Sequence, residues 1–158
     1  MYDAFHCSIQ HIHPGNGVLL YELEQPPAMR VLIADDHRII RKGISSILRS
    51  RTDIQVCGEA VDGKEAVAKA RLLKPDLLIL DISLPDSSGL EVATAIRAFL
   101  PQVPIFLLSA YGGRQLSDEV KRRGFQGFIS KSDAATTLLA AIDAIVLLVP
   151  TTLFQRVQ

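Results

Sequence analysis

The stretch Arg30–His37, "RVLIADDH", runs four apolar side chains, Val31 to Ala34, straight into two adjacent carboxylates. An apolar run without polar alternation reads as a strand covered on both faces, as in the middle of a parallel sheet. Asp35 and Asp36 then stand at its C-terminal end. Two like charges about 4 Å apart repel by roughly 4 kcal/mol at an effective dielectric near 20, so the pair requires something positive beside it.

Outward from that strand the pattern repeats. Ile40, Ile44, Ile47 and Leu48 fall at i, i+4, i+7 and i+8, the stripe of a helix lying on a sheet. Ile54, Gln55 and Val56 alternate, which suits an edge strand. A second helix follows the Asp62-Gly63 turn and stops before Pro75. Leu77 to Asp81 is again a solid apolar run ending in a carboxylate, and Val92, Ile96, Phe99 and Leu100 repeat the helical stripe. Pro104 to Ser109 is a third buried strand, this one ending in a hydroxyl. A helix around Gln115 to Arg123 has few apolar anchors and is expected to be loosely held. Gly127 to Ser130 is a short last strand, followed directly by Lys131. The final helix carries Leu138, Ile142, Ile145, Val146 and Val149 and is closed by Pro150. Leu139, Leu147 and Leu148 lie outside its stripe and face either a partner or a generous core. Five strands interleaved with five helices imply an α/β, doubly wound parallel sheet.

The bulk numbers bound what such a domain does. With 158 residues the chain suits one domain, and 17 basic against 17 acidic residues give no electrostatic reason to expect nucleic acid or an acidic membrane. Cys7 and Cys57 make no disulfide framework, so a reducing compartment, the cytoplasm, is expected. No run of about 18 apolar residues and no charged leader is present, so neither a span nor a signal peptide is indicated. Residues 1–28 lack a sustained period and read as an extension, disordered or not native. The domain covers 29–149 and a tail covers 150–158. His6, Cys7, His11 and His13, in a stretch bearing Pro and Gly, read as solvated side chains rather than metal ligands.

Open parallel sheets bind ligands outside the carboxyl ends of their strands. The residues that break the apolar runs, Asp35, Asp36, Asp81, Ser109 and Lys131, all fall at that edge. Adjacent strands lie about 4.8 Å apart, so Asp81 reaches the acidic pair if its strand neighbours the first. Three carboxylates make a hard, oxygen-rich site of the kind that holds Mg²⁺. Ser109 and Lys131 supply a hydroxyl and a point charge for a phosphate, and a carboxylate can itself accept a phosphoryl group. Taken singly, Asp35 or Asp36 reads as a helix cap, and Ser109, Lys131 and His37 read as loop residues. Together with Asp81, the acidic pair, Ser109 and Lys131 read as a phospho-acceptor site. Cys57 reads as a small core hydrophobe.

This constellation resembles the receiver domain of two-component response regulators, from Met29 to about Val149. The resemblance rests on the acidic pair Asp35 and Asp36, on "DISLPDSSG" with Asp81, Pro85 and Gly89, on Ser109-Ala110, and on Lys131. It implies a flavodoxin-like sheet of order 2-1-3-4-5, with Asp81 the phospho-acceptor and Ser109 and Lys131 its partners. It also implies Mg²⁺ held by Asp35, Asp36, Asp81 and the Ser83 backbone carbonyl, and a phosphoryl donor that is a histidine kinase or a phosphotransfer protein. Phe128 stands where the family has a switching aromatic, with core packing the alternative, and Tyr111 flanks the mouth and would shield the acyl phosphate. Signalling then passes to an unidentified output protein, and a homodimer is left open. "ADDHRIIRKG" and "GFQGFISK" look most like the NarL/FixJ branch, whose members usually carry a helix-turn-helix output domain. Nine residues follow Val149, too few for such a domain, so no direct nucleic-acid contact is expected from this chain. Ser132 replaces the proline many receivers have after the lysine, so no cis peptide is expected there.

Two other classes compete. Haloacid-dehalogenase-type phosphatases also form an aspartyl phosphate but need an aspartate two residues after the nucleophile, where this chain has Ser83. A phosphorylation-independent pseudo-receiver, acting as a protein-binding module, is disfavoured by the intact acidic set.

Overall fold

The structure, a computed structural model, describes residues 28–110 and 114–148. Strands and helices alternate as β1 (Met29–Ala34), α1 (Arg38–Leu48), β2 (Ile54–Ala60), α2 (Gly63–Leu73), β3 (Leu77–Asp81), α3 (Gly89–Arg97), β4 (Ile105–Ser109), α4 (Arg114–Arg122), β5 (Gly127–Ser130) and α5 (Ala134–Leu148). All neighbouring strands pair in parallel, in the order β2-β1-β3-β4-β5. The doubly wound fold expected from the sequence is the fold observed.

Period-two geometry explains why the central runs show no polar alternation. Val31 and Ile33 of β1 join a core with Ile44 and Leu48 of α1 and Leu138, Ile142 and Ile145 of α5. Leu32 and Ala34, on the opposite face, join a second core with Ala66 and Ala70 of α2, Val92 and Ile96 of α3 and Val120 of α4. Every residue of β3 and of β4 is buried. At the edge, β2 buries only Ile54 and Ala60. Its register on β1 shifts from Val31↔Val56 to Leu32↔Gly58, which makes Cys57 the extra residue of a β-bulge. Cys57 is half-buried against the second core.

Helix ends follow local chemistry. Every early amide of α2 finds an acceptor: Gly63 and Lys64 donate to the Asp86 carboxylate, Glu65 to Asp62 Oδ1, and Ala66 to the Asp62 carbonyl. The helix stops at Lys74, whose left-handed φ of 45° turns the chain into Pro75. A capping box of Ser88 and Glu91 opens α3. The helix ends at Arg97, short of the expected stripe, yet Phe99 and Leu100 still donate to the Ile96 carbonyl and stay half-buried.

Val146, expected in the α5 stripe, is 42% exposed. At 100° per residue it sits about 80° around the helix from Leu138, at the margin of the buried face. Leu139 packs half-buried against the core and Leu147 is exposed. Expectations for residues 1–27, Tyr111 and Val149 onward fall outside the described residues. No cis peptide occurs among those described, and no helix among them is long and apolar enough to cross a membrane.

Candidate functional site

Register brings the two buried acids together. Ala34 pairs with Leu80, so the next residue on each strand, Asp35 and Asp81, emerges side by side at the sheet's carboxyl edge. The two acids close their strands in the same way. Asp35 Oδ1 accepts from the His37 amide at 2.8 Å, and Asp81 Oδ1 accepts from the Ser83 amide at 3.1 Å. Each is a turn in which an aspartate satisfies the backbone two residues on. Each therefore commits one carboxylate oxygen to the turn and leaves Oδ2 for the site. The Lys131 ammonium lies between these second oxygens, 2.8 Å from Asp35 Oδ2 and 2.7 Å from Asp81 Oδ2. Lys131 is thus a positive partner for Asp35 of the acidic pair, shared with Asp81 rather than with Asp36.

Lys131 is delivered by the outer strands. Asp81 pairs with Leu108, Ser109 with Ser130, and the Lys131 amide donates to the Ser109 carbonyl at 2.8 Å. Asp35 is fully buried, Asp81 is 2% exposed and Ser109 is 8% exposed. Burial works against the charge on Lys131, but the hydrogen bonds and fields of Asp35 and Asp81 outweigh it and hold the ammonium above its ordinary value of 10.5. The stabilisation it provides is complete below 10.5 and is lost only as the pH rises through that elevated value.

Around this triad a polar frame fixes the strand ends. Arg41 Nη1 donates to the Asp35 carbonyl at 2.6 Å, while its Nε faces Glu59 Oε2 at 3.3 Å. His37 occupies the N-cap position of α1 without capping it. Its Nδ1 instead lies 2.6 Å from Asp36 Oδ1 and 3.2 Å from Asp35 Oδ1. On the other side, the loop after Asp81 is drawn closed by a bridge between Ser83 and Ser88, and by the Gly89 amide donating to the Ile82 carbonyl at 2.8 Å.

Asp86 ties this loop to α2. Its carboxylate accepts from Gly63 at 2.7 Å and Lys64 at 3.1 Å, so the loop after Asp81 itself caps a neighbouring helix. Those bonds, the Gly63 amide first, hold the carboxyl below its ordinary 3.8. Their stabilisation is present above 3.8 and is lost as the pH falls through the lowered value. Asp86→Ala is expected to lower the denaturation midpoint at pH 7, with the deficit shrinking on acidification. Equal midpoints at pH 7 would show that the loop does not depend on this cap.

A family model described as the response regulator receiver domain matches residues 31–143. The chain belongs to that family. Among curated proteins, this receiver is 38% identical over 114 residues to the response regulator protein VraR of Staphylococcus aureus, covering 72% of the chain and 54% of the relative. It thus spans about half the length of the curated relatives it matches. Among solved structures it resembles the signal receiver domain of the putative response regulator NarL from Mycobacterium tuberculosis, with TM-score 0.71 and 29% identity over 77% of this chain and 98% of that one. The isolated receiver domain of RcsB from Salmonella enterica, solved with the phosphomimetic BeF3⁻, gives TM-score 0.71 and 28% identity over 76% and 89%. These likenesses place it among NarL-like receivers.

The donor set of this receiver fits a divalent cation. One ligand atom each from Asp35, Asp36, His37 and Asp81 lies within 4.8 Å of all the others. Asp35 Oδ2 is buried and its charge is met by the Lys131 ammonium at 2.8 Å, so a cation bound here would share that oxygen with the lysine.

Of the residues singled out in the sequence, Asp35, Asp36, Asp81 and Lys131 share one pocket, and Ser109 ends the strand beside it. Phe128 pairs with Leu107 in register and packs, half-buried, on the second core. Tyr111 lies outside the described residues. Sequence reasoning missed Arg41, Glu59 and Asp86, charged residues without periodicity, and took His37 for an ordinary loop residue. An aspartate two residues before the histidine was the available signal for the turn that returns the ring over the pocket.

Proposed function

We propose that Asp81 accepts a phosphoryl group from a histidine kinase or a phosphotransfer protein, in a Mg²⁺-dependent step, and that the phosphorylated receiver switches its binding to an output protein. The observation that carries this reading is the Lys131 ammonium shared between Asp35 Oδ2 and Asp81 Oδ2. It places a cation on the one carboxylate oxygen that its turn leaves free. In the transfer, an Asp81 oxygen bonds to phosphorus as the P–N bond of the phosphohistidine breaks and its electron pair returns to the imidazole. Asp36, Asp81, the Ser83 carbonyl and, through water, Asp35 would hold the Mg²⁺, whose charge offsets that of the phosphoryl oxygens. Lys131 follows the new phosphate, and the Ser109 hydroxyl donates to it. An inward shift of Ser109 opens space for Phe128 and biases α4, whose apolar anchors are Val120 and Leu116.

In this reading residues 29–149 are the receiver, between an N-terminal extension and a short tail, working in the cytoplasm. The protein is a phospho-acceptor switch rather than an enzyme on small phosphoesters, with at most hydrolysis of its own acyl phosphate, slowed by Tyr111. Downstream it engages an output protein or a second copy of the chain.

The test is incubation of the full chain with acetyl phosphate, in Mg²⁺ and in EDTA, read by intact mass because the sequence has no tryptophan. One phosphate on the wild type in Mg²⁺, and none in EDTA or on Asp81→Asn, is the expected result. An unmodified wild type, or an equally modified Asp81→Asn, overturns the proposal.

A further inference from the structure

We propose that residues 18–24 of this chain, "VLLYELE", dock in the groove between α2 and α3 and cover the apolar stripe that α2 turns outward. An open cavity of about 570 Å³ lies between the two helices, with Val67 and Ala68 of α2 on one side and Val92 and Ala95 of α3 on the other. Leu72, one turn beyond Ala68, carries the stripe past the end of the cavity and is 80% exposed. A continuous apolar surface on a folded domain marks a contact site.

Charge narrows the occupant. Asp86 and Glu91 on the rim are already engaged by backbone, Asp86 by the Gly63 and Lys64 amides and Glu91 by the Ser88 amide at 3.4 Å. Lys64 and Arg71, two turns apart on α2, meet no carboxylate among the described residues, and the Arg71 guanidinium lies over the Phe99 ring at 4.0 Å. An apolar floor beside two unanswered cations suits an apolar segment that bears carboxylates.

This chain has such a segment. Residues 18–24 set Glu22 and Glu24 among Val18, Leu19, Leu20, Tyr21 and Leu23, and no Lys or Arg precedes Arg30. The tail, 150–158, has no Asp or Glu and follows α5, which packs on the other face of the sheet. The route to the groove is short. Arg30 Nη1 donates to the Leu73 carbonyl at 2.6 Å and the Arg30 amide to Asp76 Oδ2 at 2.8 Å, so β1 begins beside the C-terminal end of α2. Four extended residues span at most about 14 Å, which puts Glu24 within reach of Arg71 from Ala28. Ten span about 35 Å, well beyond the roughly 10 Å of helix rise between Arg71 and Lys64. Tethered this closely, the segment meets the groove at a high effective concentration. The docked segment shields Leu72 from other proteins, and the inference does not depend on phosphorylation.

Methyl-resolved NMR of the full chain tests it. Nuclear Overhauser contacts are expected from the Leu19, Leu20 or Leu23 methyls to those of Val67 and Leu72, at an intensity independent of protein concentration. Leu72→Asp, at an exposed position, is expected to abolish them and to speed chymotryptic cleavage after Tyr21 by about tenfold or more, while methyl shifts far from α2 stay unchanged. Arg71→Glu is expected to weaken the contacts, and adding Glu22→Lys and Glu24→Lys to restore them. No contact between residues 18–24 and the α2–α3 face in the wild type, contacts that survive Leu72→Asp, or a charge exchange that restores nothing overturns the proposal. Contacts that grow with protein concentration overturn it in favour of a second copy of the chain.

Discussion

Lys131→Met is expected to lower stability by about 3 kcal/mol at pH 7 in EDTA, because removing one partner of a buried ion pair leaves the other charge uncompensated. Here two charges are left, Asp35 and Asp81, both essentially inaccessible to water and each with its second oxygen turned toward the vacated place. The lysine keeps a small solvent-facing fraction, 13%, which puts the loss at the low end of the range for buried pairs. For a domain whose total stability is on the order of 5–15 kcal/mol, the loss is a large share. Two manipulations should reverse it. Mg²⁺ should restore stability to the variant more than it adds to the wild type, since the ion replaces the missing charge. A second substitution, Asp35→Asn, should also recover stability by removing one of the stranded carboxylates. Urea denaturation of the wild type, both single variants and the double variant, with and without Mg²⁺, measures both. A Lys131→Met protein as stable as the wild type in EDTA would mean that the pocket is hydrated and the pairing is of surface strength.

The second large effect belongs to Gly89→Ala. A Cβ there would stand 2.1 Å from the Asp81 carbonyl oxygen and 2.9 Å from both the Asp81 carbonyl carbon and the Ile82 Cα. All three obstacles are backbone, so no side chain can swing away. The reason for glycine is thus proximity rather than an unusual dihedral angle. Overpacking a tight site costs about 1–3 kcal/mol, and an immovable neighbour places this case at the upper limit or beyond it. On the proposed function the damage should also reach phosphorylation, because the strand end that must yield carries Asp81, the proposed acceptor. Gly43, by contrast, sits in α1, where an added methyl would meet nothing within 4 Å. Gly43→Ala should stabilise the domain by up to about 1 kcal/mol through helix propensity and a less floppy unfolded chain. The pair makes a sharp test. If Gly89→Ala matches Gly43→Ala in denaturation midpoint and phosphorylation rate, the close approach does not exist.

Much of this architecture was legible in the sequence because parallel strands buried on both faces must be apolar at every position. Leu77 to Leu80 and Ile105 to Leu108 satisfy that rule, and the first polar residue after each run marks the edge where the site lies. The strand order was legible only through the resemblance to receivers, since an apolar run does not name its neighbours. Periodicity overstated two helices. It carried α3 through Leu100 because a tightened final turn can still face the core, and it carried the buried stripe of α5 to Val146, where the helix has already rotated to its margin. Within the site, Asp35, Asp81 and Lys131 could be proposed together because each ends a run. Asp86 and His37 could not, since their roles depend on turns that fold them back onto a helix or a pocket, and nothing in one-dimensional spacing announces such a return.

The paired turns at the ends of β1 and β3 have a consequence for how the pocket can be dissected. Asparagine has a side-chain oxygen at the same reach as aspartate, so at 35 or 81 it can keep the bond to the amide two residues on while removing the charge. Glutamate keeps the charge but carries it one methylene farther, past that amide. Shape and charge, fused in the native side chain, come apart along these two routes. An asparagine variant isolates what the charge contributes, and a glutamate variant isolates what the turn contributes, including any use of the longer acid to imitate a phosphorylated Asp81.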